Sequence, residues 1–169
     1  MGITIRDATR KDAGQILAFI RALAVYEREP DAVKATEADL LEHGFAANPY
    51  YSCLIAETDG VPAGFALFFY DYSTWLGKPG LYLEDLFVSP EHRGAGIGKA
   101  LLQRLARIAL EKGCARMKWE VLDWNTPAID FYNAMGAEIQ REWLNVRLSG
   151  DALRRLAETG EVAETTKAQ

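Results

Sequence analysis

Cysteine and histidine are scarce in this 169-residue chain, with two of each. Cys53 and Cys114 lie far apart without a CxxC spacing, so they read as reduced core thiols of a cytoplasmic protein. His43 and His92 form no metal constellation, and no metal is expected. Nowhere does an apolar run approach the roughly 18 residues that span a bilayer. The longest such run, Phe65 to Tyr70, is strand length. No basic segment precedes an apolar one at the N-terminus, so no signal peptide is expected. Met1-Gly2 invites a myristoylation reading, but Arg6 stands where Ser or Thr is needed. Basic residues are outnumbered, 19 Lys and Arg against 24 Asp and Glu, for a net charge of −5. Nucleic acid is therefore not the expected partner, because phosphate neutralisation needs a basic surface. The same sign mildly favours a cationic substrate, although ordinary solubility explains it equally well.

What is present is concentrated between Leu81 and Lys99. Leu81 to Val88 is a β-rich apolar run that holds the adjacent carboxylates Glu84 and Asp85. Ser89-Pro90 breaks it. Then Arg93-Gly94-Ala95-Gly96-Ile97-Gly98-Lys99 opens into a helical pattern carried by Ile97, Leu101, Leu102, Leu105, Ile108 and Ala109. Strand, glycine loop and helix together suit a phosphate. Glycine lets the backbone approach the ligand, and the helix start supplies free N–H donors and partial positive charge. A Walker loop is excluded, since Gly98-Lys99 is followed by Ala100. The dinucleotide fingerprint Gly-x-Gly-x-x-Gly is missed as well. Arg-x-x-Gly-x-Gly does match, in Arg93, Gly96 and Gly98. It resembles the pyrophosphate loop of the GNAT acetyltransferases; a ligand-free helix start is the alternative.

The flanking elements are readable in order. Ile3 to Arg6 is a short strand. Thr9 to Asp12 resembles a capping box ahead of a helix that Pro30 ends. Thr36 to Gly44 suggests a second helix. Tyr51 to Glu57 and Val61 to Tyr72 form a hairpin about Asp59-Gly60. After the 95–112 helix, Ala115 to Leu122 is the next expected strand, parallel to 81–88. Asn125-Thr126-Pro127 starts a short helix that closes at Gly136. Residues 137–139 and 142–148 read as a last hairpin, and 151–158 as a helix. The order β-α-α-β-β-β-α-β-α-β-β predicts an α/β (α+β) fold, a mixed and mostly antiparallel sheet flanked by helices. That order matches the GNAT fold. One domain is expected over 1–158, with 159–169 a polar, disordered tail.

Acetyl transfer from a thioester to an amine needs a neutral amine, donors for the oxyanion, and a proton for the leaving thiolate. Glu84 is the candidate base, directly or through water. Burial inside an apolar strand would raise its pKa. The alternative is a strand-edge carboxylate paired with Arg or Lys. Asp85 is expected on the opposite face. Tyr132 is the candidate acid, since a phenol of pKa about 10 matches a departing thiolate. Its alternative is an amphipathic Tyr packed on the core. The backbone of Leu86, Phe87 and Val88 is expected to pair with a ligand amide if the strand splays from its neighbour. Asn125 is a helix cap that could also reach the cofactor.

Further residues extend the resemblance. Tyr26-Glu27, Phe45, Trp75 to Lys78, Tyr82 to Asp85, Arg93-Gly94, Gly96 to Gly98, Asp123 to Asn125 and Phe131-Tyr132 resemble the spermidine/spermine and thialysine acetyltransferase branch of GNAT. Val121 to Asn125, with Lys112 to Cys114, is nearer the thialysine side. The resemblance implies that Tyr26, Glu27, Trp75 and Glu84 bind the amine. It implies that Tyr132 is the general acid, and that residues 94–99 and 86–88, with Arg93, Asn125 and Tyr132, hold acetyl-CoA. It also implies a homodimer with substrate sites near the interface. Polyamine enzymes carry an Asp two residues before the tryptophan matching Trp75; here Ser73 stands there, and the nearest acid is Asp71. The expected activity is transfer of acetyl from acetyl-CoA to a primary amine of a small cationic molecule, by direct attack in a ternary complex. Such a molecule is a polyamine, a diamine, or a thialysine- or lysine-like amino acid. A silent acyl-CoA sensor and a protein lysine or N-terminal acetyltransferase are the alternatives.

Overall fold

The computed structural model describes residues 2–158. The expected tail, 159–169, lies outside them. Four strands run antiparallel in sequence order: β1 (Ile3–Asp7), β2 (Ser52–Thr58), β3 (Val61–Ser73) and β4 (Lys78–Val88). A fifth, β5 (Met117–Lys118), joins β4 in parallel, so the sheet order is β1-β2-β3-β4-β5. The mixed, mostly antiparallel sheet is the expected one. Asp59 and Gly60 both take positive φ, 51° and 81°, as a two-residue hairpin between β2 and β3 requires.

Two helices, α1 (Ala13–Tyr26) and α2 (Glu37–Gly44), precede β2. The Thr9–Asp12 capping box exists, but it opens a short 3-10 turn that runs into α1. Asp12 also receives Arg6 in a two-pronged pair at 2.8 and 2.9 Å, which fixes the helix start to β1. Ile16, Leu17, Phe19 and Leu40 pack with Cys53, Ile55, Phe65, Leu67 and Phe87 into one core cluster. The alternate strand residues Leu54, Ala66 and Phe68 are buried too, so the sheet is covered on both faces. A third helix, α3 (Ile97–Glu111), buries Ile97, Leu101, Leu102, Leu105, Ile108 and Ala109, the stripe predicted from spacing.

The chain divides into two compact units, Met1–Trp124 and Asn125–Gln169. The second holds α4 (Thr126–Ala134) and α5 (Gly150–Glu158). Two expectations fail. The strand foreseen over Ala115 to Leu122 shrinks to Met117–Lys118. From Ala115 to Leu122 every residue is exposed or only half-buried, so no second buried face holds a longer strand in place. The hairpin foreseen over 137–148 is absent among the described residues. Trp143, Leu144 and Val146 are 65, 86 and 90% exposed, and among the described residues no strand pairs with them. Apolar alternation specifies a strand only where a partner edge is available.

Candidate active site

Strand β4 carries the candidate chemistry. Its register against β3 slips between Leu67 and Phe68: Leu67 faces Asp85, while Phe68 faces Leu83. Glu84 is the extra residue of a β-bulge. A bulge interrupts the two-face alternation on which the separation of Glu84 from Asp85 rested. The burial expectation also reverses. Glu84 is exposed, whereas Asp85 is half-buried. Burial, followed by the charges of Glu84 and Glu27, pushes the Asp85 carboxyl up to about 6. Glu27 sits one residue beyond α1, and burial holds it above its ordinary value as well. The carboxylates of Glu84 and Glu27 thus both act on Asp85.

Phe87 and Val88 continue β4 past this cluster. Gly64 of β3 lies so close beneath them that a Cβ there would stand 2.5 Å from the Phe87 carbonyl oxygen. The Phe87 side chain is 5% exposed, which leaves its backbone as the part a ligand can use. Beyond the pairs Leu81–Met117 and Tyr82–Lys118, no strand pairs with the outer edge of β4 among the described residues.

Arg93 opens the glycine loop and turns back over the site. Its Nε donates to the Val88 carbonyl at 2.9 Å. Its guanidinium lies 4.9 Å from the Tyr26 ring centroid and 5.7 Å from that of Phe87. Tyr26 also meets Trp124, with ring centroids 6.1 Å apart. Arg28 lies over the Trp124 ring at 4.1 Å. Cations and rings therefore tie the end of α1 to the loop start and to the segment after β5. Gly94 and Gly96 have φ of 79° and 86°, and a Cβ on either would meet nothing within 4 Å. Their need for glycine comes from the backbone, not from crowding. Gly96 caps α3 without any side-chain hydrogen bond to the helix start. Ala95 and Lys99 are exposed, Gly98 lies in the first turn of α3, and Ile97 is 1% exposed. The Ile97 side chain is thus an anchor, and only its backbone faces outward chemistry.

Not every predicted residue joins this group. Trp75 lies in the turn after β3 and is 88% exposed. Along β4 it is displaced from Asp85 by roughly 24 Å, at about 3.4 Å per residue. Ser73 is buried at 3%, and its Oγ accepts the Leu76 N–H at 3.2 Å, which closes that turn. Asp71 is held by Lys118 at 3.1 Å and Arg116 at 3.4 Å. Neither position supplies a carboxylate for a cationic ligand. Asp71→Ala is expected to lower stability by about 1 kcal/mol, because these partly exposed pairs are screened, and to leave the amine KM unchanged. Urea midpoints and steady-state kinetics check this.

In the second unit, Asn125 occupies the N-cap position of α4, as predicted, and Pro127 falls in the first turn. Tyr132 is buried at 8% exposure, with its ring tilted against Phe131 at 5.6 Å.

The model of the acetyltransferase (GNAT) family matches residues 16–137. That span is most of the chain. The chain belongs to the GNAT family. It is similar to the thialysine N-epsilon-acetyltransferase of Bos taurus, 43% identical over 166 residues, with 92% of this chain and 97% of the relative covered. An integron cassette protein from the mobile metagenome of V. cholerae superposes with a TM-score of 0.79 at 28% identity, over 94% of this chain and 99% of that one. The acetyltransferase AAC(6')-Iy, solved with a bisubstrate analogue built on CoA, gives 0.72 at 25% identity, over 89% of this chain and all of that one. This GNAT chain is an N-acetyltransferase that uses acetyl-CoA. Its residues fit that cofactor. The uncapped start of a 15-residue helix and two left-handed glycines facing open space suit a pyrophosphate. The unpaired edge of β4 suits the amides of a pantetheine arm.

The sequence pattern marks neither the bulge at Glu84, which contains no Gly or Pro, nor the greater burial of Asp85. Arg28 carries no motif either. Trp124 was visible within Asp123-Trp124-Asn125, but only as part of a resemblance.

Proposed function

We propose that this enzyme acetylates the primary amine of a small cationic molecule, of the thialysine, lysine-like or short diamine type. The observation that carries this reading is the convergence of Glu27, Glu84 and Asp85 beside the start of the cofactor loop. An ammonium arriving there finds negative charge that like-charge crowding has left under-compensated. It must then lose a proton, and a carboxyl near 6 is better matched to that task than an ordinary one. Asp85, with the Glu84 charge beside it, is the proton acceptor, and Glu27 holds the ammonium. The bound cofactor supplies the activated acetyl thioester. Leu86, Phe87 and Val88 would hold it through their backbone, and the loop residues 93–99 would hold its phosphates. Tyr132 would be the proton donor, as the resemblance implies. The similarity to a thialysine N-epsilon-acetyltransferase supports the substrate class, and so does the commitment of Ser73 and Asp71 to structure, since a long polycation needs further spaced carboxylates.

The active form is a homodimer in the cytoplasm. Remote Trp75 and the exposed apolar run at Trp143, Leu144 and Val146 support a second subunit, which would complete the substrate site. The unpaired thiols of Cys53 and Cys114 support a reducing compartment.

Thiol release from acetyl-CoA against spermidine, putrescine, thialysine, lysine and a basic peptide tests the reading. Turnover is expected with the small amines. Glu84→Gln and Tyr132→Phe should each reduce it while CoA binding persists. A chain that binds CoA tightly but releases thiol with no amine is a sensor, and the assignments for Glu84 and Tyr132 then fall.

A further inference from the structure

Arg28 has no place in the chemistry above, yet the fold holds it with care. It is one of two non-glycine residues with positive φ, at 66°, among the described residues. That conformation is unfavourable for a side chain with a Cβ, so it persists only where surrounding contacts fix it. The end of α1 fixes it: the Arg28 N–H donates to the Val25 carbonyl at 3.1 Å and the Glu29 N–H to the Ala24 carbonyl at 2.9 Å, the paired bonds of a left-handed helix cap. From that cap the guanidinium lies over the Trp124 ring at 4.1 Å. Trp124 is in turn braced on Tyr26, and Tyr26 on Arg93.

Its charge is unspent. Among the described residues, Arg6, Arg104, Arg116, Arg154 and Lys118 each form an ion pair with a carboxylate, and Arg28 forms none. A guanidinium laid on an aromatic face keeps its N–H edge for a planar acceptor, and the fork matches a carboxylate. Arg28 also directly follows Glu27 in the chain, so a cation stands one residue from a carboxylate assigned to the ammonium. That is the pattern of charge a free amino acid presents in reverse, with a carboxylate at one end and an ammonium on the side chain. A polyamine presents a second ammonium instead, which Arg28 repels.

We propose that Arg28, held in place by Trp124, binds the substrate's carboxylate, so that the enzyme selects an amino acid with a side-chain amine over polyamines and simple diamines. This rests on the reading of the site as an amine acetyltransferase and narrows its substrate class. Trp124 is a positioning residue in this scheme, and Arg28 is a specificity-determining one.

The test compares kcat/KM for thialysine with that for the diamine left when its carboxylate is removed. The wild-type enzyme is expected to prefer thialysine by at least about tenfold, the scale of one hydrogen bond between charged groups. In Arg28→Gly the left-handed backbone becomes favourable, so the variant folds. There the preference should collapse at least about tenfold, through a higher KM for thialysine and a lower one for the diamine. Trp124→Leu should move the ratio the same way through KM rather than kcat, and Trp124→Phe should restore it, because a ring platform remains. If both compounds turn over and Arg28→Gly leaves their ratio unchanged, or if the wild type prefers the diamine, the inference is overturned while the acetyltransferase reading stands. If the wild type acetylates neither, that reading fails, and this one with it.

Discussion

Asp85→Asn is expected to abolish most of the activity and to stabilise the fold. Loss of a general base typically lowers turnover by about 10²- to 10⁴-fold, and Asn cannot accept the ammonium proton. The wild-type kcat/KM should rise with pH through an apparent pKa near 6, where Asp85 ionises. That acidic limb should vanish in the variant. The stability effect follows from the same shift. Burial and the charges of Glu84 and Glu27 raise this carboxyl from an ordinary 3.8 to about 6. The folded state therefore holds the proton more tightly than the unfolded chain does. Its stabilising contribution is full below about pH 4 and is lost as pH rises through 6. At pH 8 the wild type carries a buried charge that Asn removes. The difference of about two pKa units corresponds to roughly 3 kcal/mol. Urea midpoints at pH 8 and pH 4 test it: the variant should be the more stable at pH 8 and nearly equal at pH 4. A variant that is no more stable at pH 8, or that keeps its activity, would remove Asp85 from the proton path. Glu84→Gln gives the comparison, since Glu84 is exposed. It should relieve Asp85 of one like charge and move the acidic limb to lower pH.

Much of this was legible in the chain itself, for reasons that differ by residue. The α3 stripe from Ile97 to Ala109 repeats at helical spacing, and the helix buries that face. Asp59-Gly60 announces a hairpin because few other pairs tolerate two positive φ angles. Thr36 with Asp39 forms the reciprocal cap of α2. These are local signals, and local physics decides them. The site is a different matter. Which carboxylate of Glu84-Asp85 is shielded depends on a one-residue slip between β3 and β4 at Leu67 and Phe68. No spacing rule encodes that slip. Glu27 reaches Asp85 only because α1 ends where it does on the sheet. The 142–148 segment shows the opposite case, a strand pattern with no partner strand among the described residues. The Arg28, Trp124, Tyr26 and Arg93 stack joins residues from three segments that sequence order keeps apart.

The cofactor loop permits the sharpest separation of binding from folding. Gly96 and Gly60 have nearly the same backbone, with φ of 86° and 81°, and a Cβ on either meets nothing within 4 Å. Alanine at each position should therefore be strained to a similar degree, at a cost of about 1 kcal/mol. Their surroundings differ in function. Gly60 turns the β2–β3 hairpin, whereas Gly96 caps α3, where the free N–H groups of the first turn face the loop. In Gly96→Ala the added methyl occupies space that a pyrophosphate needs, and a small shift in φ swings the amide away from it. The KM for acetyl-CoA should rise about a hundredfold, the equivalent of roughly 2.7 kcal/mol, and CoA binding measured without amine should weaken in parallel. Gly60→Ala should show the same loss of stability and normal cofactor binding. If both variants lose stability alike and both bind CoA normally, the loop does not contact the phosphates. If both lose binding alike, the effect is general unfolding. Only a loss confined to Gly96→Ala places the pyrophosphate at this helix start.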